Sequence, residues 1–298
     1  MERIKMNISN IDIDLCHQLI KEQFPQWGEL AITPVACNGW DNNTFHLGNE
    51  MLIRMPCSEE YAAQVEKEQC WLPKLGPSLP LEIPSPLALG LPAKGYPWHW
   101  SIYRWIPGES AAPGNIKDLL EFAKTLANFL KALQSIDPTG GPPPGQHSFH
   151  RGGTLSTYDT EVQKALSLLK ERIDVKTASQ IWKAAISTTW QGKPVWVHGD
   201  ISTGNLLVEG GTLTAVIDFG QLAVGDPACD LAIAWTLFQG RSRKLFQKHL
   251  GLDKDTWNRA KGWALWKALI TAAGLTSPNN FESKQSWTIL GQLIDENI

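Results

Sequence analysis

Three polar residues that follow short apolar segments constrain this chain most. PVWVHGDISTGNLLV at 194–208 contains Asp200 and Asn205, and LTAVIDFG at 213–220 contains Asp218. Apolar runs of this length, separated by turns rich in glycine and asparagine, are typical of β-hairpins. We therefore expect paired strands to bring Asp200, Asn205 and Asp218 together at one mouth of the fold.

Two carboxylates and one amide at this spacing suggest a particular chemistry. Mg²⁺ prefers oxygen ligands and is often held by one or two protein carboxylates together with substrate phosphates. The remaining carboxylate can then take the proton of an attacking hydroxyl, as in phosphoryl transfer. A single acid after a strand is usually only a loop or capping residue. The joint pattern H-G-D-x₄-N-x₁₂-D-F-G favours a catalytic and metal-binding site.

The same segment resembles the aminoglycoside phosphotransferase family, small-molecule kinases with a protein-kinase-like fold. The specific motifs are HGDISTGNLLV at 198–208, IDFG at 217–220 and GDPACDLAIAW at 225–235. Weaker matches are GWDNNTFHLG at 39–48, VEKEQCWLPKL at 65–75 and YRWIPGE at 103–109. Because these motifs span most of residues 30–240, the resemblance implies a fold and an activity for most of the chain.

The resemblance implies roles for the residues of the specific motifs. Asp200 is the expected catalytic base facing the acceptor hydroxyl, and His198 is expected to support the catalytic loop. Asn205 and Asp218 are the expected ligands of a Mg²⁺ ion on the β- and γ-phosphates. Asp226 and Asp230, in the helix that follows, are expected to brace these loops.

The weaker motifs imply where a nucleoside triphosphate binds. Three residues match a loop that covers the phosphates, and three match the inter-lobe linker whose backbone hydrogen-bonds adenine. They are Asn42, Asn43 and Thr44 for the loop, and Arg104, Trp105 and Ile106 for the linker. Glu68 matches a helix glutamate that pairs with a phosphate-binding lysine on the preceding strand.

One position departs from the family pattern. The predicted strand MLIRM at 51–55 has Arg54 where the family has lysine. Arginine keeps the positive charge and can pair with Glu68 and a phosphate in a fork, but it differs from lysine in size and hydration. Two interpretations stay open: Arg54 binds phosphate, or the nucleotide site is weakened or altered.

The order of β-prone and helical segments predicts an α+β, bilobal fold, and the resemblance implies that this fold is protein-kinase-like. Residues 1–105 are expected to form an N-terminal nucleotide-binding lobe, an antiparallel β-sheet with one helix over 58–75. Residues 106–298 are expected to form a larger, mainly helical C-terminal lobe for catalysis and substrate binding. Within it, the proline- and glycine-rich segment 137–153 predicts an exposed loop, and 156–190 a helical stretch.

Composition excludes several classes of protein. With 43% apolar and 19% charged residues, the 298-residue chain is too apolar for a disordered protein. Its net charge of −3 disfavours a generally basic nucleic-acid binder, and no apolar run is long enough for a membrane span. Five widely spaced cysteines without a C-x-x-C motif suggest reduced thiols, and hence a cytoplasmic protein.

These observations predict a phosphotransferase that uses Mg²⁺ and ATP or GTP. The resemblance suggests an aminoglycoside-type antibiotic as acceptor, and thus a resistance enzyme. Residues 1–109 have 13 acids and 8 bases, whereas residues 110–298 have 17 acids and 19 bases. Because the pockets of polycationic substrates are typically acid-lined, the net +2 of the second part leaves a macrolide, a sugar or an amino alcohol open.

Two other functions agree with only part of the sequence. A non-catalytic, nucleotide-binding pseudokinase is suggested by Arg54, although such a protein has no need to keep Asp200, Asn205 and Asp218 together. A protein kinase is disfavoured, since the stretch from Asp218 to Asp230 has no room for an activation loop with an A-P-E end.

Overall fold

The computed structural model describes residues 11–35, 41–276 and 280–296 of the chain. Two residues of the predicted phosphate-covering motif, Gly39 and Trp40, lie outside the described residues.

A five-stranded antiparallel sheet forms the N-terminal part, with the strand order β1-β2-β3-β5-β4. Its strands are β1 (Ile32–Pro34), β2 (Asn42–Leu47), β3 (Met51–Pro56), β4 (Pro86–Gly90) and β5 (Trp100–Arg104). Two helices accompany it, α1 (Ile13–Gln23) and α2 (Glu59–Leu75).

The β2–β3 hairpin turns where the sequence predicts. Leu47 pairs with Met51 across a turn in which Gly48 has a φ of +61°, a left-handed conformation that glycine adopts without steric cost. Phe45 and Ile53 pair in this hairpin, and both are buried with residues of β5 and α1. The sheet therefore has an apolar core of its own, which holds β3 in place.

Helix α2 delivers a glutamate to the sheet. Glu59 and Glu60 occupy its first turn, where negative charge is favoured by the helix dipole. Val65, Glu68 and Leu72 recur at spacings of three and four residues and are all buried, so they share one face of the helix. Glu68 is consequently a carboxylate on an otherwise apolar face, and it needs a partner.

The rest of the chain is mainly helical. Its helices are α3 (Leu119–Ser135), α4 (Asp159–Leu168), α5 (Val175–Ile186), α6 (Ile233–Thr236), α7 (Gly240–Leu250), α8 (Lys254–Ala272) and α9 (Asn280–Asp295). Two small antiparallel sheets lie among them: β6 (Glu109–Ser110) with β8 (Leu206–Glu209) and β9 (Thr212–Val216), and β7 (Val195–Val197) with β10 (Ala223–Gly225).

A large apolar core supports β7. Leu126 and Leu130 of α3 are fully buried in this core, as is Trp196 of β7. The Trp196 ring also lies 4.7 Å from the ring of Trp71 on α2, between centroids. Because this strand is packed on both helices, the residues that follow it start from a fixed base.

The α+β architecture agrees with the prediction, and so does the helical character of 156–190, but one local expectation is wrong. Residues 137–153 are not simply exposed: Ser148 is fully buried, and the carbonyls of Pro142 and Gly152 accept hydrogen bonds from the backbone at β10 and just beyond it. These bonds fix the loop against the fold. The stretch 156–190 is divided into α4 and α5 rather than continuous.

The boundary between residues 105 and 106 stays a prediction. It falls directly after β5 ends at Arg104. None of the described helices is both long enough and apolar enough to cross a membrane.

Candidate active site

Asp200 lies on the loop after β7, and His198 holds that loop. The Nδ1 of the fully buried His198 accepts from the backbone N–H of Asp200 at 3.1 Å, and its Nε2 lies 3.0 Å from the carbonyl oxygen of Ile217. An imidazole that accepts at one nitrogen and donates at the other is neutral, and burial lowers the pKa of His198. His198 therefore ties the Asp200 loop to the strand end that precedes Asp218.

The backbone just before Asp200 rests on a buried carboxylate. Oδ2 of Asp230 accepts from the N–H of His198 at 2.8 Å, and Oδ1 accepts from the N–H of Gly199 at 2.7 Å. Gly199 has a φ of +89°, and a Cβ there would lie 2.5 Å from the carbonyl oxygen of Gln221. Position 199 in this turn therefore requires glycine. Asp230 holds the backbone of this turn, where the resemblance expects a bracing residue.

Asn205 is bonded directly to Asp200. Its Nδ2 donates to the carbonyl oxygen of Asp200 at 2.9 Å and to Oδ2 at 3.0 Å. The backbone carbonyl oxygen of Asn205 accepts from the N–H of Ile217 at 2.9 Å, which sets Asp218 beside Asn205. Asp218 has a φ of +66°, an uncommon conformation that often marks functional positions.

These three side chains line one cavity of about 650 Å³. One end contains Asp41 and Asp218, near the N-terminal sheet, and the other extends between α8 and α9. Asp200 lies on the wall between the two ends. The spacing read from the sequence therefore brings Asp200 and its two partners to a common site.

The environment of Asp200 suits a base. Burial raises the pKa of its carboxylate above the ordinary value, and the charge of Asp218 raises it further. The positive charges of Arg151 and Lys267 and the hydrogen bond from Asn205 act in the opposite direction. A carboxylate with a raised pKa is a stronger proton acceptor while it stays ionised.

Arg54 lies among three carboxylates. Its Nη2 is 3.1 Å from Oδ1 of Asp218 and 3.7 Å from Oδ2 of Asp41, and its Nη1 is 3.5 Å from Oε1 of Glu68. Burial alone would lower the pKa of Arg54, but the charges of these carboxylates outweigh it and raise the pKa well above the ordinary value. The arginine thus stands beside the helix glutamate, as the resemblance expects of a lysine.

Glu68 has a second partner that sequence reasoning missed. The hydroxyl of Tyr103, on β5, donates to Oε2 of Glu68, and the Arg54 guanidinium lies 5.8 Å from the Tyr103 ring centroid. Burial raises the pKa of Glu68, while Arg54 and the Tyr103 hydroxyl lower it. The buried ion pair is therefore anchored on β5, immediately before the linker.

The linker residues lie at the edge of an apolar patch. Ile106 is buried in a small cluster with Leu207 of β8. The N–H groups of Arg104 and Trp105 already donate to backbone carbonyls, at 3.0 and 2.7 Å. No described residue accepts from the N–H of Ile106. Of the three predicted residues, Ile106 is the one with a backbone donor available to a nucleotide base.

The prediction of a loop at the residues expected to cover the phosphates is wrong. Asn42, Asn43 and Thr44 do not lie on a loop but begin β2, where they pair with residues 54–56 of β3. The pairing satisfies their backbone groups, so the ladder extends past the apolar part of the strand despite its polar side chains.

The residues present fit a shared Mg²⁺ ion. Because the Nδ2 of Asn205 is committed to Asp200, its Oδ1 is left without a hydrogen bond from any described residue. Asp218 offers carboxylate oxygens next to it. The described residues contain no group of three or more His, Cys, Asp or Glu side chains arranged as a metal cage. One amide and one carboxylate suit an ion that takes its other ligands from phosphates and water.

Four charged residues among the described lining of the cavity were not predicted from the sequence: Asp41, Arg151, Lys267 and Glu282. Asp41 directly precedes the predicted loop residues, so its place in the motif could have identified it. Lys267 follows Trp266 on α8, and Arg151 lies in the loop wrongly expected to be exposed. Nothing local in the sequence marks either cation, because tertiary packing alone brings them to the cavity.

A model of the phosphotransferase enzyme family known as APH matches residues 31–263. The chain belongs to this family. An aminoglycoside 3′-phosphotransferase of Escherichia coli is 28% identical over 171 residues, which cover 54% of this chain and 61% of the relative. A Salmonella typhimurium enzyme of the same name gives the same identity and coverage. The chain thus spans about six tenths of the length of these curated relatives.

Solved structures show the same fold over almost the whole chain. The GDP and kanamycin complex of APH(2″)-IIIa superposes with a TM-score of 0.71 at 19% identity, covering 95% of this chain and 99% of that one. A macrolide 2′-phosphotransferase of type I has a TM-score of 0.62 at 18% identity, covering 96% and 98%. The predicted family, its protein-kinase-like fold and its class as a phosphotransferase enzyme are therefore confirmed.

Proposed function

We propose that the enzyme transfers the γ-phosphoryl group of ATP or GTP to a hydroxyl of a small molecule held in the cavity beside Asp200. One observation carries the proposal: Asn205 is hydrogen-bonded to the Asp200 carboxylate, and its backbone is bonded to the residue before Asp218. A base and two oxygen ligands for a metal thus share one wall of one cavity.

Asp200 would act as the base. The acceptor oxygen forms a bond to the γ-phosphorus, the bond from that phosphorus to the bridging oxygen of the nucleoside diphosphate breaks, and the hydroxyl proton passes to the Asp200 carboxylate. Since little covalent chemistry falls to the protein, positioning and electrostatics supply most of the rate. His198 and Asp230 contribute by fixing the loop that carries the base.

Asn205 and Asp218 would hold Mg²⁺, which, when bound, neutralises charge on the β- and γ-phosphates. Arg54 would place its positive charge beside the same phosphates, with Glu68 holding one arm of its guanidinium. This favours the first interpretation of Arg54, in which it does the work expected of lysine. Ile106 would offer its backbone N–H to the base of the nucleotide.

The solved relatives are consistent with a nucleotide donor. Their complexes contain GDP, ADP or ATP, and two of them contain kanamycin or streptomycin. We extend to this chain a nucleoside triphosphate and a hydroxylated acceptor, with aminoglycosides and macrolides as the classes that the relatives' names suggest. We also propose that it acts in the cytoplasm, where such donors are abundant.

The test separates chemistry from nucleotide binding. Asp200→Asn should abolish γ-phosphoryl transfer yet bind Mg²⁺–nucleotide nearly as well as wild type, because the amide keeps the shape but cannot take the proton. Asp218→Asn should lose both Mg²⁺-dependent nucleotide binding and transfer. Turnover is followed with γ-labelled nucleotide and binding by calorimetry.

A matched control keeps the result interpretable. Glu171 lies on the surface between α4 and α5, away from the cavity, so Glu171→Gln should leave binding and transfer unchanged. Near-normal turnover by Asp200→Asn would show that the base is wrongly assigned. Nucleotide binding without any turnover in wild type, over a broad acceptor panel, would favour the pseudokinase alternative.

A further inference from the structure

The acceptor end of the cavity has a charge pattern of its own. Four of the described residues that line the cavity are acids. Asp41 and Asp218 lie within 4 Å of Arg54 at the nucleotide end, and Asp200 is the proposed base. Beyond Asp200, the described wall has one acid, Glu282 of α9, and two cations, Lys267 of α8 and Arg151 of the loop before α4. A polycationic acceptor would meet more positive than negative charge there.

Arg151 is built into this wall rather than loosely attached. Its guanidinium carbon lies 4.7 Å from the ring centroid of Trp263 and 4.8 Å from that of Trp266, so it is stacked between two rings of α8. Its Nε donates to Oε1 of Gln221 at 3.0 Å. Stacking and this hydrogen bond fix the direction of the side chain, and its terminal nitrogens donate no hydrogen bond to a described residue.

The aromatic wall behind Arg151 is itself rigid. The ring centroid of Tyr158 lies 4.0 Å from that of Trp266, and its hydroxyl donates to the carbonyl of Phe149. The indole N–H of Trp266 donates to Oε2 of Glu161 at 2.8 Å. Packed rings whose polar atoms are satisfied give the guanidinium of Arg151 a rigid support.

The positive charge of Arg151 lowers the pKa of Asp200, but the two groups form no direct ion pair. No carboxylate of a described residue lies within 4 Å of Arg151 or of Lys267, although both line the cavity. A half-buried guanidinium costs desolvation energy that is normally offset by an anion or by several hydrogen bonds. Here the offset can come from a bound molecule, because the two terminal nitrogens form the fork that matches a carboxylate or a phosphate.

We propose that Arg151, assisted by Lys267, binds an anionic group of the acceptor, and that the preferred acceptor is a hydroxyl compound with a carboxylate or phosphate group rather than a polycation. This rests on the proposed function, since it names the acceptor of that same cavity. The anion pairs with Arg151 and Lys267, and the hydroxyl faces Asp200.

The principal rival assigns Arg151 to the γ-phosphate instead. In that role Arg151 would contact the nucleotide. Loss of Arg151 would then slow nucleotide hydrolysis in the presence of any acceptor and also without an acceptor. The acceptor role predicts a different split: loss of Arg151 weakens binding of anionic acceptors and leaves acceptor-free hydrolysis unchanged. The two roles can therefore be told apart by kinetics.

The experiment uses matched acceptors that differ only in charge. One triad is glucuronate, glucose and the amino sugar with an ammonium group at the same carbon. The other is para-hydroxymethylbenzoate with its alcohol and its amine counterparts. Binding to the full chain, with and without a Mg²⁺–nucleotide analogue, is measured by calorimetry and by quenching of tryptophan fluorescence in wild type, Arg151→Gln and Arg151→Lys.

Arg172→Gln is the matched control, because Arg172 stacks on Trp287 with 4.0 Å to the ring centroid but does not line the cavity. Thermal unfolding verifies that each variant is folded. Measuring nucleotide binding and acceptor-free hydrolysis in the same proteins tests the proposed function separately, so failure of that function does not decide the acceptor question.

We expect the carboxylate member of at least one triad to bind about tenfold more tightly than its ammonium counterpart. Arg151→Gln should remove that preference, Arg151→Lys should keep part of it, and Arg172→Gln should keep all of it. The proposal is overturned if the ammonium members bind as well as the carboxylates, if no member binds, if Arg151→Gln keeps the preference, or if that variant loses acceptor-free hydrolysis.

Discussion

Replacing Asp230 with asparagine removes one of the two acceptor oxygens that hold the loop before Asp200. The carboxylate is fully buried, and its oxygens accept from the N–H groups of His198 and Gly199 at 2.8 and 2.7 Å. An asparagine can place its single oxygen opposite one of these donors. Its amide group then faces the other N–H, which is left without an acceptor.

The expected cost follows from the number of stranded donors. A buried N–H that loses its acceptor costs about 1–3 kcal/mol. Asp230→Asn should therefore lower the free energy of unfolding by about 1–3 kcal/mol, and Asp230→Ala, which strands both donors, by about 2–6 kcal/mol. Since domains are typically stable by about 5–15 kcal/mol, the asparagine variant should stay folded and measurable.

Urea denaturation gives the free energy of unfolding, provided that the slope of this free energy against urea concentration is the same in all variants. Glu171→Gln removes an exposed carboxylate and should alter stability by less than about 0.5 kcal/mol. Asp230→Asn should also lower kcat more than it weakens nucleotide binding, because the loop that it disturbs carries Asp200 and not the linker. Stability equal to that of the Glu171 control would refute the bracing role.

Three other variants probe separate parts of the structure. Arg54→Lys replaces two guanidinium arms with one ammonium group and should raise the nucleotide KM about tenfold in steady-state assays; an unchanged KM would contradict the need for a fork. Arg259→Met strands the buried carboxylate of Asp226, 2.6 Å from the Arg259 Nε, and should cost about 3–5 kcal/mol in urea denaturation; a loss below about 1 kcal/mol would contradict it. His147→Gln should reduce the loss of unfolding free energy at acid pH, measured as the free energy of unfolding against pH.

The sign of the last prediction follows from the hydrogen bonds of His147. Its Nδ1 lies 3.0 Å from the Nζ of buried Lys67, and its Nε2 lies 2.9 Å from the carbonyl of Pro143. Burial lowers the pKa of His147 in the folded state, so the unfolded chain binds the proton more readily and stability falls as the pH drops below the ordinary value near 6.5. A wild-type profile flat between pH 7 and pH 5 would contradict this.

The sequence predicted the central part of the site because its information is local. Asn205 and Asp218 flank the β8–β9 hairpin, and Asp200 lies five residues before Asn205, so strand and turn residues were enough to bring them together. The resemblance placed Arg54 beside Glu68 through the motifs of a strand and the helix after it, and the structure puts 3.5 Å between the two groups. These relations depend on short stretches of chain.

The missed features depend on contacts between distant segments. Arg151 reaches the cavity because the carbonyl of Gly152 accepts from Asp226, a bond that glycine- and proline-rich composition does not reveal. Tyr103 reaches Glu68 only through the packing of β5 against α2. Asn42 belongs to β2 because β3 satisfies its backbone, which a reading based on polarity takes for a loop.

The most direct test of the account is a crystal structure with Mn²⁺ in place of Mg²⁺ and a non-hydrolysable nucleoside triphosphate, with the metal located by its anomalous signal. We predict an ion bound by Oδ1 of Asn205 and the carboxylate of Asp218, with the terminal phosphate facing the cavity beside Asp200. A metal ligated by other side chains, or a terminal phosphate directed away from Asp200, would contradict the proposed site.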